Sequence, residues 1–281
     1  MNMKQSNIIN RNFFRLLRAG AFEEIEDVEP MSTFKWKRLI QIADVQDVLP
    51  FIAQGFHRYE SDQNLTVSPT LQQELKLLSS MRVPDVSTST TAIEQMEPQL
   101  SNFFLKRKQK RLLQKELNSE EYSQETVQML HIIIYNINQT LTKGISLNGI
   151  IEMGRYLRTK GNRVDFVKLE QWLHSLGVMR LASLQGSILI DIFHFDLSEI
   201  PFMGKEEKGA ANLTQRSLTH TASDTAENWH FRMRTNGMVE NNSRVLRRNL
   251  RRSVRYFRYN PFETTSNFLA NFAKSLSEIE E

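Results

Sequence analysis

Residues Ser243–Tyr259 read SRVLRRNLRRSVRYFRY. Arginine recurs there as Arg244, Arg247, Arg248, Arg251, Arg252, Arg255 and Arg258. At about 100° per residue, a helix brings these side chains onto one broad stripe. Leu246, Leu250, Val254 and Phe257 fall on roughly the opposite side. The spacing therefore predicts an amphipathic helix that buries its apolar side and offers dense positive charge on the other.

The helical period extends through the rest of the chain. Ile8, Ile9, Phe13, Leu16 and Leu17 mark a first helix ending near Gly20. Ser32 is placed to cap a second, with Phe34, Trp36, Leu39, Ile40 and Ala43 as its apolar face. A third is expected from Val45 to His57, with Pro50 early in it. Ser68-Pro69 reads as a cap and first helical position, followed by Leu71, Leu75 and Leu78 on one face. Further helices are predicted over Leu100–Leu117, Ser123–Leu141, Ser146–Arg158, Asp165–Ser175 and Val178–Phe195, with a turn at Thr159–Asn162. Asn260, Pro261 and Glu263 give the last helix a start signal of the capping-box kind. No alternating β-run exceeds four residues. The expected fold is all-α, a multi-helix globular bundle with little or no sheet. Its expected organisation is an N-terminal helical segment over 1–82, a Ser/Thr/Pro-rich linker over 83–98, a central helical domain over 99–203, a flexible loop over 204–228, and C-terminal basic and capping helices over 229–281.

Charge is unevenly spread. The formal net charge is +4, yet Trp229–Tyr259 carries nine arginines against Glu240 alone, so the rest of the chain is net acidic. Lys106, Arg107, Lys108, Lys110, Arg111 and Lys115 form a second basic run. Cysteine is absent, which excludes disulfides, thiolate catalysis and cysteine-ligated metal. No secretory leader pattern opens the chain. The longest apolar runs, Ile132–Ile134 and Ile188–Ile190, are too short to span a bilayer. A cytoplasmic protein with no membrane partner is expected.

Signals for catalysis are missing. Gly144, Gly149 and Gly154 are spaced as in a phosphate loop, but Ile150-Ile151 follows where Lys-Ser/Thr is needed. His57, His131, His174, His194, His220 and His230 contain no paired metal-ligand spacing. Gln185-Gly186-Ser187 lies in a strongly apolar helical run, unlike an exposed nucleophile elbow. No catalytic residue, metal ligand or cofactor is predicted. The seven arginines are the candidate anion- or partner-binding residues. A protein partner or acidic surface is the first expectation for them. A nucleic acid is the second, with Tyr256, Phe257 and Tyr259 stacking on bases. Against both stands a structural reading, in which the stripe is a solvated face or pairs internally with Glu23, Glu24, Glu26, Asp27 and Glu29.

Three stretches carry a resemblance. They are Gly144–Leu157 (GISLNGIIEMGRYL), Val164–Leu173 (VDFVKLEQWL) with Leu176-Gly177-Val178 and Ser198–Phe202 (SEIPF), and Arg255–Glu263 (RYFRYNPFE) with Ser277–Glu281. Together they resemble the helical C-terminal half of a bacterial family of uncharacterised nucleotidyltransferases, some linked to surface-polysaccharide gene clusters. Trp36–Leu49 resembles that family's opening helical segment. The resemblance implies a polymerase-β-type module with a Gly-Ser turn and an Asp-x-Asp pair that holds divalent ions on nucleotide phosphates. This chain has neither between Gly55 and Glu125. Gly186-Ser187 with Asp191 and Asp196 comes too late, and its acids are too far apart. Asn148 and Glu152 stand where the family commonly has Arg and Asp. The reading is a non-catalytic helical scaffold or binding protein without the transferase core. The alternative is a degenerate metal-dependent nucleotidyltransferase using Glu152, Asp165 and Glu170, which alone would call for Mg²⁺ and a nucleoside triphosphate.

Overall fold

The computed structural model describes residues 7–59, 67, 69–79, 83–218 and 242–277. These form helices and turns, with no strand among the described residues. The helices are α1 (Ile8–Phe22), α2 (Thr33–Val45), α3 (Leu49–His57), α4 (Pro69–Ser79), α5 (Val86–Gln95), α6 (Phe103–Leu117), α7 (Gln124–Thr142), α8 (Leu147–Lys160), α9 (Phe166–Ser175), α10 (Met179–Phe193), α11 (210–218), α12 (Asn242–Phe257) and α13 (Pro261–Ser277). The fold class is all-α, and the described parts of Gly55–Glu125 are helices and connecting turns.

The chain divides into two compact units. Unit 1 comprises Met1–Asp85, Asp191–His194 and Ala211–Arg234; unit 2 comprises Val86–Ile190, Phe195–Ala210 and Thr235–Glu281. Unit 1 is organised by α1 against α3. Phe13, Phe14, Leu16 and Leu17 of α1 and Phe51, Ile52 and Ala53 of α3 are buried. Two glycines set the distance between the helices. A Cβ on Gly20 would lie 1.9 Å from the Phe51 carbonyl oxygen, and one on Gly55 2.1 Å from the Leu16 carbonyl oxygen. Gly20 thus serves close backbone approach inside α1. The helix ends later, at Glu23, whose φ is 64°.

Unit 2 is built around α7, which packs on α5, α8, α9, α12 and α13. Met129, Leu130, Ile132, Ile133, Ile134 and Ile137 are all buried there, which explains an apolar sequence with no single apolar face. Serine and aspartate caps start three of its helices. Ser123, Ser146 and Asp165 accept from Thr126 N, Gly149 N and Lys168 N.

Several boundaries are corrected. The segment 83–98, read as a linker, contains α5. The stretch STSTTA lowers helix propensity, but Val86, Thr90 and Ile93 are buried one turn apart, and Thr90 returns its hydroxyl to the Val86 carbonyl at 2.7 Å. The segment 204–228, read as a flexible loop, contains α11. Ala210, Leu213, Thr214, Ser217 and Leu218 are buried at helical spacing; their small and polar neighbours obscured the stripe. Residues 219–228, and Ser68, lie outside the described residues. Ser32 occupies the cap position of α2 without a side-chain cap bond. Phe34, placed on its apolar face, is exposed, and Ile42 is buried instead.

Candidate functional site

The C-terminal basic helix forms as α12, but its buried side is not the one expected. Leu250, Val254 and Phe257 are 50%, 68% and 50% exposed. The buried position is Tyr256, at 0%, with Asn249 and Ser253 half-buried. On a helical wheel Asn249, Ser253 and Tyr256 lie between the arginine stripe and the apolar stripe. The helix seats on that seam and leaves Arg247, Arg251 and Arg258 on one side and Leu250, Val254 and Phe257 on the other at the surface. Arg247, Arg251 and Arg258 are exposed, and Arg252 and Arg255 are half-buried. The side chains of Arg244, Leu246 and Arg248 lie outside the described residues.

The C-terminal end of α12 is held firmly. Thr264 Oγ1 donates to the Tyr256 carbonyl at 3.4 Å. Arg180 donates to the Arg258 carbonyl, and Asn260 Nδ2 donates to the Gly177 carbonyl at 2.9 Å. The Arg258 guanidinium lies 4.7 Å from the Tyr259 ring centroid and donates to its hydroxyl. Burial pushes the Tyr256 hydroxyl up to about 12, against the opposing charges of Arg255 and Arg252. Tyr259 is also buried. Of the three aromatic residues offered for base stacking, only Phe257 is exposed.

The α13 start signal is read correctly in part. Asn260 Oδ1 accepts from Glu263 N at 2.9 Å. The Glu263 carboxylate, however, does not fold back in a capping box. It is fully buried and accepts from Ser101 N and Asn102 N, so it ties the start of α6 to α13. Beyond that joint, Lys106, Arg107, Lys108, Lys110, Arg111 and Lys115 are exposed.

The acids proposed as internal partners for the arginine stripe are taken elsewhere. Arg11 and Arg15 reach Glu29 at 2.7 and 2.9 Å. Arg18, itself 1% exposed, holds Glu26 and donates to the Ile192 carbonyl. Glu24 meets His194 at 3.2 Å, and Glu23 meets Arg58 at 2.7 Å. Asp27 is exposed. The run from Glu23 to Glu29 is therefore a brace inside unit 1. Neither Arg247 nor Arg251 pairs with an acid among the described residues. The sequence concealed this because α1 carries its own arginines on the side that faces the loop.

The residues weighed for chemistry fall into structural roles. Glu152 pairs with Arg155 at 2.9 Å, Asp165 caps α9, and Glu170 lies 3.8 Å from His174. Among the described residues no three His, Asp or Glu side chains converge as metal ligands would. Gly149 packs on Asn136, which donates to its carbonyl at 2.9 Å. Ser187 is buried, donates to the Ser183 carbonyl and accepts from Glu207 N. Sequence reading missed one cleft of about 660 Å³, lined by Glu170, His174, Arg180, Glu207, Lys208 and Arg258 among others. Arg180 and Glu207 form a two-bond pair there, at 2.7 and 3.1 Å, so the cleft balances much of its own charge. Among the described residues no helix is long and apolar enough to cross a membrane. Comparison with protein-family models, with curated proteins and with solved structures finds nothing that matches this chain.

Proposed function

We propose that this protein works by binding, as a non-catalytic helical scaffold, and that the arginine face of α12 engages an anionic partner. The observation that carries the reading is the exposure of Arg247, Arg251 and Arg258 while the chain's own acidic run is bound by Arg11, Arg15, Arg18 and Arg58. A row of guanidinium groups with no acidic partner among the described residues steers and holds anions through long-range attraction and bidentate hydrogen bonds. The separate engagement of Glu152, Asp165 and Glu170 favours binding over metal-dependent nucleotidyl transfer. The stretches that resemble the nucleotidyltransferase family then serve packing, as Gly149 does against Asn136.

Retention on immobilised heparin, a general polyanion, tests the reading. Arg247→Gln with Arg251→Gln is expected to elute at clearly lower salt than a control of equal net charge, Lys37→Gln with Lys143→Gln, at two exposed lysines outside α12 and the cleft. Equal elution of the two variants refutes a role for α12.

A further inference from the structure

We propose that the anionic partner of α12 is a lipid surface, on which the helix lies in the plane of the headgroups; this rests on the binding role of the arginine row. Charge alone does not account for α12. Leu250, Val254 and Phe257 form a second row, at least half exposed. On the wheel it runs directly beside Arg247, Arg251 and Arg258. A polyphosphate backbone uses the arginines and has no use for exposed leucine and valine. Base stacking needs aromatic faces, and of the three aromatic residues near the arginines Tyr256 and Tyr259 are buried, which leaves Phe257 alone. An anionic bilayer uses both rows at once. Apolar side chains enter the boundary of headgroups and acyl chains, and the flanking arginines stay level with the phosphates.

The anchoring of α12 suits this role. Its seam of Asn249, Ser253 and Tyr256 faces the protein, so the helix need not detach to present its other two sides. The α6 joint shows the same surface chemistry a second time. Phe103 and Phe104 are largely exposed just before Lys106 and Arg107, and Phe262, beside the tethering Glu263, is exposed as well. A lipid partner departs from the expectation of no membrane partner, which rested on the shortness of the apolar runs; surface contact of this kind requires no crossing helix.

The test is flotation of the full-length protein with vesicles of phosphatidylcholine alone or with 30% phosphatidylglycerol (about 0.15 M salt). The protein is expected to float with the anionic vesicles only. Each arginine near such a surface is worth about a fivefold change in affinity, so Arg247→Gln with Arg251→Gln lowers it roughly 25-fold. Leu250→Ser with Val254→Ser leaves net charge unchanged and lowers vesicle affinity about tenfold or more. Because the chain has no cysteine, Val254→Cys gives a single labelling site. A polarity-sensitive dye there shifts to the blue on anionic vesicles and stays unshifted with a single-stranded RNA. Equal vesicle binding by wild type and the Leu250/Val254 variant, or a blue shift with RNA alone, overturns the lipid assignment. Absent flotation together with arginine-dependent heparin retention overturns it too, but leaves the binding role standing; loss of both removes both.

Discussion

Gly20 and Gly55 meet backbone atoms across the α1–α3 crossing, so no side chain can move aside for an added methyl group. Gly55→Ala must separate the helices or bend one of them. Overpacking of this kind costs roughly 1–3 kcal/mol, and backbone contact places it at the upper end or beyond. Urea unfolding is expected to show a lower midpoint for Gly55→Ala than for Gly177→Ala, where a Cβ meets nothing within 4 Å and only the positive φ of 68° opposes it. Glu29 gives a pH signature at the same scale. Its hydrogen bonds with Arg11, aided by the charges of Arg11 and Arg15, hold its carboxyl down at about 2, below the ordinary 4.5. A carboxyl lowered on folding stabilises above its unfolded value and loses that stabilisation as pH falls through its folded value. The Tm advantage of wild type over Glu29→Gln is therefore expected to be full near pH 6, to shrink below about 4.5 and to vanish near 2. A constant difference across that range would show that Glu29 acts through shape alone.

At the scale of the element, α12 separates periodicity from burial. Its arginine period was legible in the sequence because a helix repeats every 3.6 residues whatever it packs on. Which side faces the protein was not, since that depends on the complementary surface of α7 and α13. The structure implies an inverted pattern of sensitivity. Tyr256→Ala is expected to cost about 3–5 kcal/mol, as for other buried aromatic truncations. Val254→Ser is expected to stay within about 0.5 kcal/mol, as exposed substitutions do. Denaturant titration of both variants measures this, and a large loss at Val254 would mean that the apolar row is covered. The α5 and α11 segments teach the converse. Weak helix formers such as Ser87, Thr88 and Ser89 are helical because Val86, Thr90 and Ile93 find buried positions, and tertiary packing supplies most helical stability.

At the scale of the whole molecule, two contact clusters with separate cores imply separable responses to damage. Hydrogen exchange in Gly55→Ala is expected to rise across α1, α2 and α3 and to remain near wild type in α7 and α8. Uniform acceleration would show a single cooperative unit. Charge follows the same division: the basic helices α6 and α12 belong to unit 2, and the acidic run with its arginine partners belongs to unit 1. The bare sum of +4 hides that arrangement.

The amino-acid order by itself determined the helical class, the Asn260 cap and the helical repeat of the arginines. These depend on local rules: hydrogen bonding within a turn, side-chain spacing and the chemistry of capping residues. Only the tertiary structure decided that Glu23–Glu29 is bound within its own unit, that Glu263 reaches across to α6, and that α12 turns Tyr256 inward while Leu250 and Val254 face out. Those outcomes depend on which surfaces meet, and residues far apart in sequence set the energies of such meetings.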